Sequence, residues 1–181
     1  FIIIIYMDFL KEIIGADTKA IHKNFKKKEI IQKQGVVSKN AFYVKKGLIR
    51  SYSIDKKGKE HIFMFGTEEW IIADIESNVF SKPTQLYIDT IEDSEIVVFS
   101  LDYLKTDQST KEKLQKNSKL LARRIGSLQR RVIQLMSSSA KERYEMFLET
   151  YPLLPNRIPQ KMIASYLGIT AEALSKIRRE L

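Results

Sequence analysis

The chain has 181 residues, 44% of them hydrophobic, a formal net charge of +9 at pH 7 and no cysteine. Without cysteine, a disulfide framework, thiolate metal sites, cysteine-ligated iron–sulfur clusters and a cysteine nucleophile are excluded. The apolar residues 1–6 are too few to span a bilayer, so we expect no membrane role and a cytoplasmic protein.

The excess positive charge lies in the C-terminal part of the chain. Residues 1–109 contain 16 Lys and Arg against 16 Asp and Glu, whereas residues 110–181 contain 15 against 6. A neutral first part followed by a basic second part is typical of a sensor joined to a polyanion binder. The simpler alternative is a basic surface that is merely solvated.

The first hundred residues change from helical to strand periodicity. Apolar residues in 8–25 recur at helical spacings and predict two short helices. From residue 28 to 100, short runs rich in β-branched and aromatic residues alternate with turn residues, and Gly58 marks a hairpin turn. Evenly spaced short strands predict a sandwich or barrel. The predicted strands cover residues 29–32, 41–44, 48–54, 61–65, 86–91 and 95–99.

The periodicity becomes helical again after residue 101 and predicts one long helix. Its apolar residues alternate steps of four and three, the pattern of a two-stranded coiled coil, and so predict a homodimer. A helix packed on its own barrel would show a similar stripe, and the basic flank at Arg123, Arg124 and Arg130 allows part of the seam to do so. The predicted dimer interface consists of Leu121, Ile125, Leu128, Val132 and Leu135.

The last residues predict two helices joined by a glycine turn. Three serines at 137–139 end the long helix, and a further helix follows from residue 140 to 151. Pro159 suits a helix start, Gly168 suits a left-handed helix end, and Thr170 is a good N-cap for the final helix. Residues 158–181 therefore indicate a helix-turn-helix.

One face of the final helix is polar and lies opposite its apolar anchors Leu174 and Ile177. Such a helix fits the major groove of double-stranded DNA, where carboxylates, Lys and Arg can bond base edges. The alternative is a charged face that only meets solvent. The predicted DNA-binding residues are Gln160, Thr170, Ala171, Glu172, Ser175, Lys176 and Arg179.

Taken together, these features resemble the Crp-Fnr family of bacterial transcription regulators. The motifs that carry the resemblance are Gln34-Gly35, residues 44–50, Phe65-Gly66, residues 122–125 and residues 167–170. The resemblance implies an α+β fold: an N-terminal jelly-roll barrel (a double-stranded β-helix) of the cyclic-nucleotide-binding type, a long dimerisation helix and a C-terminal helix-turn-helix of winged-helix type. We expect the sensor at residues 1–108, the dimerisation helix at 109–137 and the DNA-binding domain at 138–181.

The same resemblance implies a homodimeric, sequence-specific regulator that contacts RNA polymerase. In the family's recognition helix, an Arg-Glu pair and a later Arg commonly read bases. Here Ala171-Glu172 and Lys176 hold the matching places. Glu172 fits the pattern, whereas Ala171 and Lys176 depart from it, so the family's usual DNA half-site need not transfer.

The family's cyclic-nucleotide site is only partly matched. In ligand-binding members a Gly-Glu pair and an Arg-Ser/Thr/Ala run hold the ribose and the cyclic phosphate. Residues 65–69 resemble the first part loosely, residues 82–85 replace the second, and no Arg occurs between Ser51 and Ala122. We therefore expect no cyclic AMP binding, an unknown effector and no cofactor. The possible effector pocket consists of Gly66, Glu68, Glu69, Trp70, Lys82, Thr84 and Gln85.

Two other classes of function explain less of the sequence. A small β-barrel metal-dependent enzyme needs clustered His and carboxylate ligands, and the only histidines, His22 and His61, supply no such cluster. A basic dimeric module that binds an acidic protein or RNA explains the charge but not the turn residues at 168–170. We therefore predict a regulator of transcription and not an enzyme.

Overall fold

A computed structural model describes residues 20–100 and 111–180 of the chain. The chain divides into two compact units: Phe1–Ser53 with Phe63–Lys116, and Ile54–Ile62 with Asn117–Leu181. The predicted domain boundaries at residues 108 and 137 stay a prediction. None of the described helices is long and apolar enough to cross a membrane.

Eight strands form two four-stranded sheets with the orders β1-β8-β3-β6 and β2-β7-β4-β5. The pairs β1–β8, β2–β7, β3–β6, β3–β8 and β4–β7 are antiparallel. Strand β1 lies beside β8 in the first sheet, and β2 lies beside β7 in the second. This pairing of early with late strands in two sheets is the topology of the predicted jelly roll. The strands are β1 Ile21–Phe25, β2 Ile30–Gln32, β3 Asn40–Lys46, β4 Ile49–Ile54, β5 Glu60–Gly66, β6 Ile71–Ala73, β7 Tyr87–Thr90 and β8 Ser94–Ser100, with helix α1 Ile75–Phe80 between β6 and β7.

The core of the barrel comes from side chains on one face of each strand, because successive residues of a strand point to opposite faces. Its buried members are Phe42, Val44, Ile49, Ile72, Ile88 and Ile96. Gly66 belongs to this core: a Cβ there would lie 2.9 Å from Ile72 Cδ1 and 3.0 Å from Ile49 Cγ1. Gly66, which we had placed in the effector pocket, thus has a packing role that a larger residue could not fill.

Of the two short helices predicted within residues 8–25, the second is wrong over its described C-terminal end. Ile21–Phe25 form strand β1, which pairs with β8 from Ile21 opposite Val98 to Phe25 opposite Ser94. A ladder to a strand over sixty residues away overrides the helical spacing of a few apolar residues. Residues 8–19 of that prediction lie outside the described part. Strand β6 and helix α1 were not predicted.

The long helix, the serine break and the three following helices are confirmed. Ser139 caps the helix after the break: its Oγ accepts from the Glu142 amide at 3.2 Å, and its own amide donates to Glu142 Oε2 at 2.7 Å. The Ser139 hydroxyl and then the Ser139 amide, acting on the Glu142 carboxylate, lower the pKa of Glu142. The helices are α2 Lys111–Ser137, α3 Ala140–Thr150, α4 Gln160–Leu167 and α5 Ala171–Arg179, with a 3₁₀ turn at Leu154–Asn156.

Residues 54–62 belong to the same compact unit as the helices, and two side chains of that unit bond them. One is Arg131, whose Nη2 donates to Ile62 O at 3.4 Å, and the other is Ser165. The Ser165 hydroxyl donates to Glu60 O at 2.9 Å and accepts from the Ile62 amide at 3.1 Å. Arg131 on α2 places its guanidinium 3.7 Å from the centre of the Tyr166 ring and donates to Tyr166 O at 3.0 Å. The hairpin tip and the start of the two-helix segment therefore share one hydrogen-bonded framework.

Candidate nucleic-acid interface

The turn between α4 and α5 depends on one glycine. Gly168 has φ 68° and ψ 34°. This left-handed conformation is unfavourable for residues that carry a Cβ but not for glycine. Its amide donates to Ser165 O at 3.2 Å, and the Ile169 amide donates to Ala164 O at 3.0 Å. These bonds satisfy carbonyls at the end of α4 and reverse the chain at once, as the sequence predicts.

Helix α5 starts at the predicted cap. Thr170 is extended, with φ −84° and ψ 160°, and its Oγ1 accepts from the Ala173 amide at 3.2 Å. Glu172, in the first turn, has its pKa held below the ordinary value by its own backbone amide and then by the Thr170 hydroxyl. A carboxylate at a helix N-terminus also meets the positive end of the helix dipole. Glu172 is therefore ionised at neutral pH.

The apolar anchors turn the charged face of α5 outward. Ile163 on α4 and Leu174 on α5 are fully buried, and Ile177 is 8% exposed. Glu172, Lys176 and Arg179 are exposed. One carboxylate and two cations on one exposed face can accept from cytosine N4 and donate to guanine O6 and N7.

The other predicted DNA-binding residues have structural bonds or less exposure. The Ser175 hydroxyl donates to Gln160 Oε1 at 3.3 Å, which joins the two helices. Thr170 is exposed but its hydroxyl caps α5, and Ala171 is half-buried. The structure therefore joins Gln160 and Ser175 and leaves Glu172, Lys176 and Arg179 as exposed charged side chains of the predicted set.

The predicted effector pocket separates into two groups of contacts. Glu68 Oε1 accepts from the Gly47 amide at 3.1 Å, and Trp70 O accepts from the Val44 amide at 3.0 Å, so this group lies against the β3–β4 corner. Glu69 follows the same corner with a left-handed φ of 69°. Lys82, Thr84 and Gln85 instead follow helix α1, where Lys82 pairs with Glu76 at 2.7 Å and Gln85 is exposed.

Thr84 lies in a buried polar network that the sequence analysis missed. Its hydroxyl donates to Asp74 and accepts from Gln32 Nε2 at 3.3 Å. Ser38 Oγ donates to Gln32 Oε1 at 2.6 Å, and the Ser77 hydroxyl donates to Lys82 O at 2.6 Å. One local signal could have indicated part of this network. Asp74 directly follows a strand and lies three residues before Ser77, the spacing at which an N-cap carboxylate accepts from a backbone amide of the first turn of α1.

The predicted dimer seam is exposed along α2. Its five side chains are between 40% and 64% exposed in the isolated chain. The neighbouring Ile133 and Met136, which we had not included, are also exposed. A row of exposed apolar side chains of this length on one helix is compatible with the predicted dimer interface, which stays a prediction.

Comparisons with known proteins agree with this architecture. Residues 22–106 match the cyclic nucleotide-binding domain family. Electron transport regulator A of Shewanella oneidensis is 26% identical over 170 residues, covering 86% of this chain and 66% of that protein. The chain thus spans just under two thirds of the length of this relative.

Two solved structures show the same fold. FixK2 from Bradyrhizobium japonicum has a TM-score of 0.71 at 21% identity, with 90% of this chain and 84% of that chain covered. A transcriptional regulator of the CRP/FNR family from Thermus thermophilus has a TM-score of 0.64 at 17% identity, with 89% and 85% covered.

Proposed function

We propose that this chain is a transcription regulator that binds double-stranded DNA as a homodimer. It contains a cyclic nucleotide-binding domain and is consistent in sequence and fold with a Crp-Fnr family member. The single observation that carries the proposal is the α4–α5 pair. Its glycine turn, threonine cap and buried anchors hold Glu172, Lys176 and Arg179 outward. RNA polymerase is the further partner we propose, by the same likeness. A wing beside the helix pair stays a prediction.

The charge of the chain supports a nucleic-acid partner. The basic excess of residues 110–181 coincides with the helical part, and the last turn of α5 carries Lys176, Arg178 and Arg179. Phosphate contacts by such cations supply affinity that does not depend on sequence, whereas base contacts supply discrimination. The two contributions can be separated by substitution.

Selection of bound sequences from random duplex DNA tests the proposal first, followed by variants on the selected site. We expect Glu172→Ala and Lys176→Ala each to reduce discrimination between matched and mismatched duplexes by roughly 1–3 kcal/mol per lost base contact. Arg178→Ala is the matched control for Lys176→Ala. It also removes one positive charge but lies about 160° away around the helix axis, and it should weaken binding evenly across sequences. Unchanged preference in both test variants would contradict the assignment of the reading face.

A second copy of the chain is the proposed partner of the exposed seam. The seam places Ile125 and Val132 at one heptad position and leucines at the other. β-Branched residues at a with leucine at d favour parallel two-stranded coiled coils. Light scattering should therefore give twice the 21.1 kDa mass of one chain. Leu128→Asp should give the mass of one chain, and Ser127→Asp, off the seam, should not.

We also propose that the barrel does not respond to cyclic AMP. The position expected to carry an anion-binding arginine run holds Thr84, which is buried and already bonded to Asp74 and Gln32. An incoming phosphate would have to displace these bonds and would gain no guanidinium fork. Calorimetry with cyclic AMP should show no binding at micromolar concentrations; saturable heat at one site per chain would refute this part of the proposal.

A further inference from the structure

A small cavity of about 30 Å³ lies where α2, α3 and α4 meet, entirely within the helical unit. Arg131 and Gln134 of α2 and Arg143 of α3 line it, together with Met146 and the start of the aromatic cluster at Phe147. This volume holds about two water molecules, so only a small ligand fits inside it. None of the described residues that line the cavity carries a carboxylate.

Two hydrogen-bond donors of residues that line the cavity lack a good acceptor. Arg143 Nη1 donates to Leu135 O at 3.3 Å and to Ser138 O at 3.4 Å, which satisfies carbonyls at the end of α2. Within the described residues its Nε is buried and has no acceptor. Gln134 Nε2 has a thioether for its acceptor, the Met146 sulfur at 2.9 Å. A thioether accepts hydrogen bonds only weakly.

We propose that this cavity is a binding site for one small monovalent anion, of the size of chloride or nitrate. Two guanidinium groups line a cavity with no carboxylate, an unpaired N–H is buried beside it, and an amide donor has only sulfur as partner. An anion satisfies these donors and reduces the repulsion between Arg131 and Arg143. Because these residues come from both α2 and α3, the anion stabilises the junction after the serine break.

The site does not depend on the proposed function, since it would exist whatever the exposed face of α5 binds. Its immediate consequence is thermodynamic: a ligand that binds only the folded state raises the stability of the helical unit by RT ln(1 + [L]/Kd), that is, with the logarithm of its concentration above Kd. We expect an anion as large as gluconate not to bind in this way, which makes its sodium salt the reference of the experiment.

The test replaces sodium gluconate by sodium chloride at constant ionic strength, using the full chain. The line width of ³⁵Cl nuclear magnetic resonance reports binding, and the melting temperature reports its consequence. We expect saturable line broadening that nitrate abolishes by competition, and a melting temperature that rises with the logarithm of the chloride concentration. Gln134→Leu removes a donor without changing charge and Arg143→Lys removes the buried Nε, and both should lose the response.

Arg130→Gln is the control for general charge effects, because it removes one positive charge from an exposed position on the same helix outside the cavity. It should keep the wild-type response. A response in wild type that is linear in chloride, or one that is equal in wild type and Gln134→Leu, overturns the proposal. If Arg143→Lys does not fold, Gln134→Leu against Arg130→Gln decides the question alone.

Discussion

Thr170→Ala tests how the start of α5 holds the candidate DNA-reading face. The substitution removes the hydroxyl oxygen that accepts from the Ala173 amide at 3.2 Å. Loss of an N-cap hydroxyl costs about 1 kcal/mol, a factor of about five in the folding equilibrium. We expect the free energy of unfolding of the helical unit to fall by about this amount, measured by urea denaturation. Thr170→Ser keeps the hydroxyl and should change it by only a few tenths of a kcal/mol.

The same substitution changes the titration of Glu172. The folded pKa of Glu172 is lowered by its own backbone amide and, next, by the Thr170 hydroxyl. Its ionised form therefore contributes stability above the unfolded pKa, and this contribution is lost as pH falls through the folded pKa. In Thr170→Ala the folded pKa should rise part of the way towards its ordinary value, because the backbone amide remains.

Carbon-detected nuclear magnetic resonance of the Glu172 carboxyl group measures this titration directly. In Thr170→Ser the pKa should stay as low as in the wild type. The reasoning is refuted if Thr170→Ala unfolds at the wild-type urea concentration, or if Glu172 titrates identically in the alanine variant and the wild type. Either result would mean that the hydroxyl does not hold the first turn of α5.

Two further pairs of substitutions compare a crowded glycine with an uncrowded one, and a buried ion pair with an exposed one. Gly47→Ala should destabilise the first unit by about 2–4 kcal/mol, because φ is 98° and the new Cβ would also lie 2.6 Å from a backbone carbonyl oxygen. Gly168→Ala should cost only about 1 kcal/mol, because φ is 68° but the new Cβ would make only an ordinary contact at 3.7 Å. Equal costs of the two substitutions in urea denaturation would contradict this reasoning. Asp89 accepts two hydrogen bonds from Arg50, at 2.8 and 2.9 Å, in a buried ion pair. Asp89→Asn removes the negative charge and one of the two acceptors, leaves the buried guanidinium without a counter-charge on residue 89, and should cost about 3 kcal/mol. Asp93→Asn, at an exposed pair, should shift the denaturation midpoint far less, and a similar shift in both would refute the role of burial.

Local signals predicted the helical part well. The serine break, the left-handed Gly168 and the Thr170 cap each depend on backbone hydrogen bonds between residues at most five apart. Such short-range chemistry can be read from neighbouring residues without knowing the rest of the fold. The same holds for the charged face of α5, which follows from the 100° rotation per residue.

Long-range contacts explain the failures. Strand β1 was assigned to a helix because its ladder partner β8 is about seventy residues away in sequence. The buried partners of Thr84, Asp74 and Gln32, were likewise not predicted, whereas the effector pocket stays a prediction. The periodicity of the sequence does not indicate which loops lie in contact in the folded chain.

The sequence by itself therefore determined the order of elements, the basic C-terminal part, the seam on α2 and the face of α5, since each follows from local spacing and charge. Only the tertiary structure decided the two four-stranded sheets, the closed polar network around Thr84 and the arginine-lined cavity beside Gln134. These features share one physical reason: a buried polar group needs a hydrogen-bond partner, and the fold can supply that partner from a distant part of the sequence. In the network around Gln32 the partners lie up to 54 residues apart.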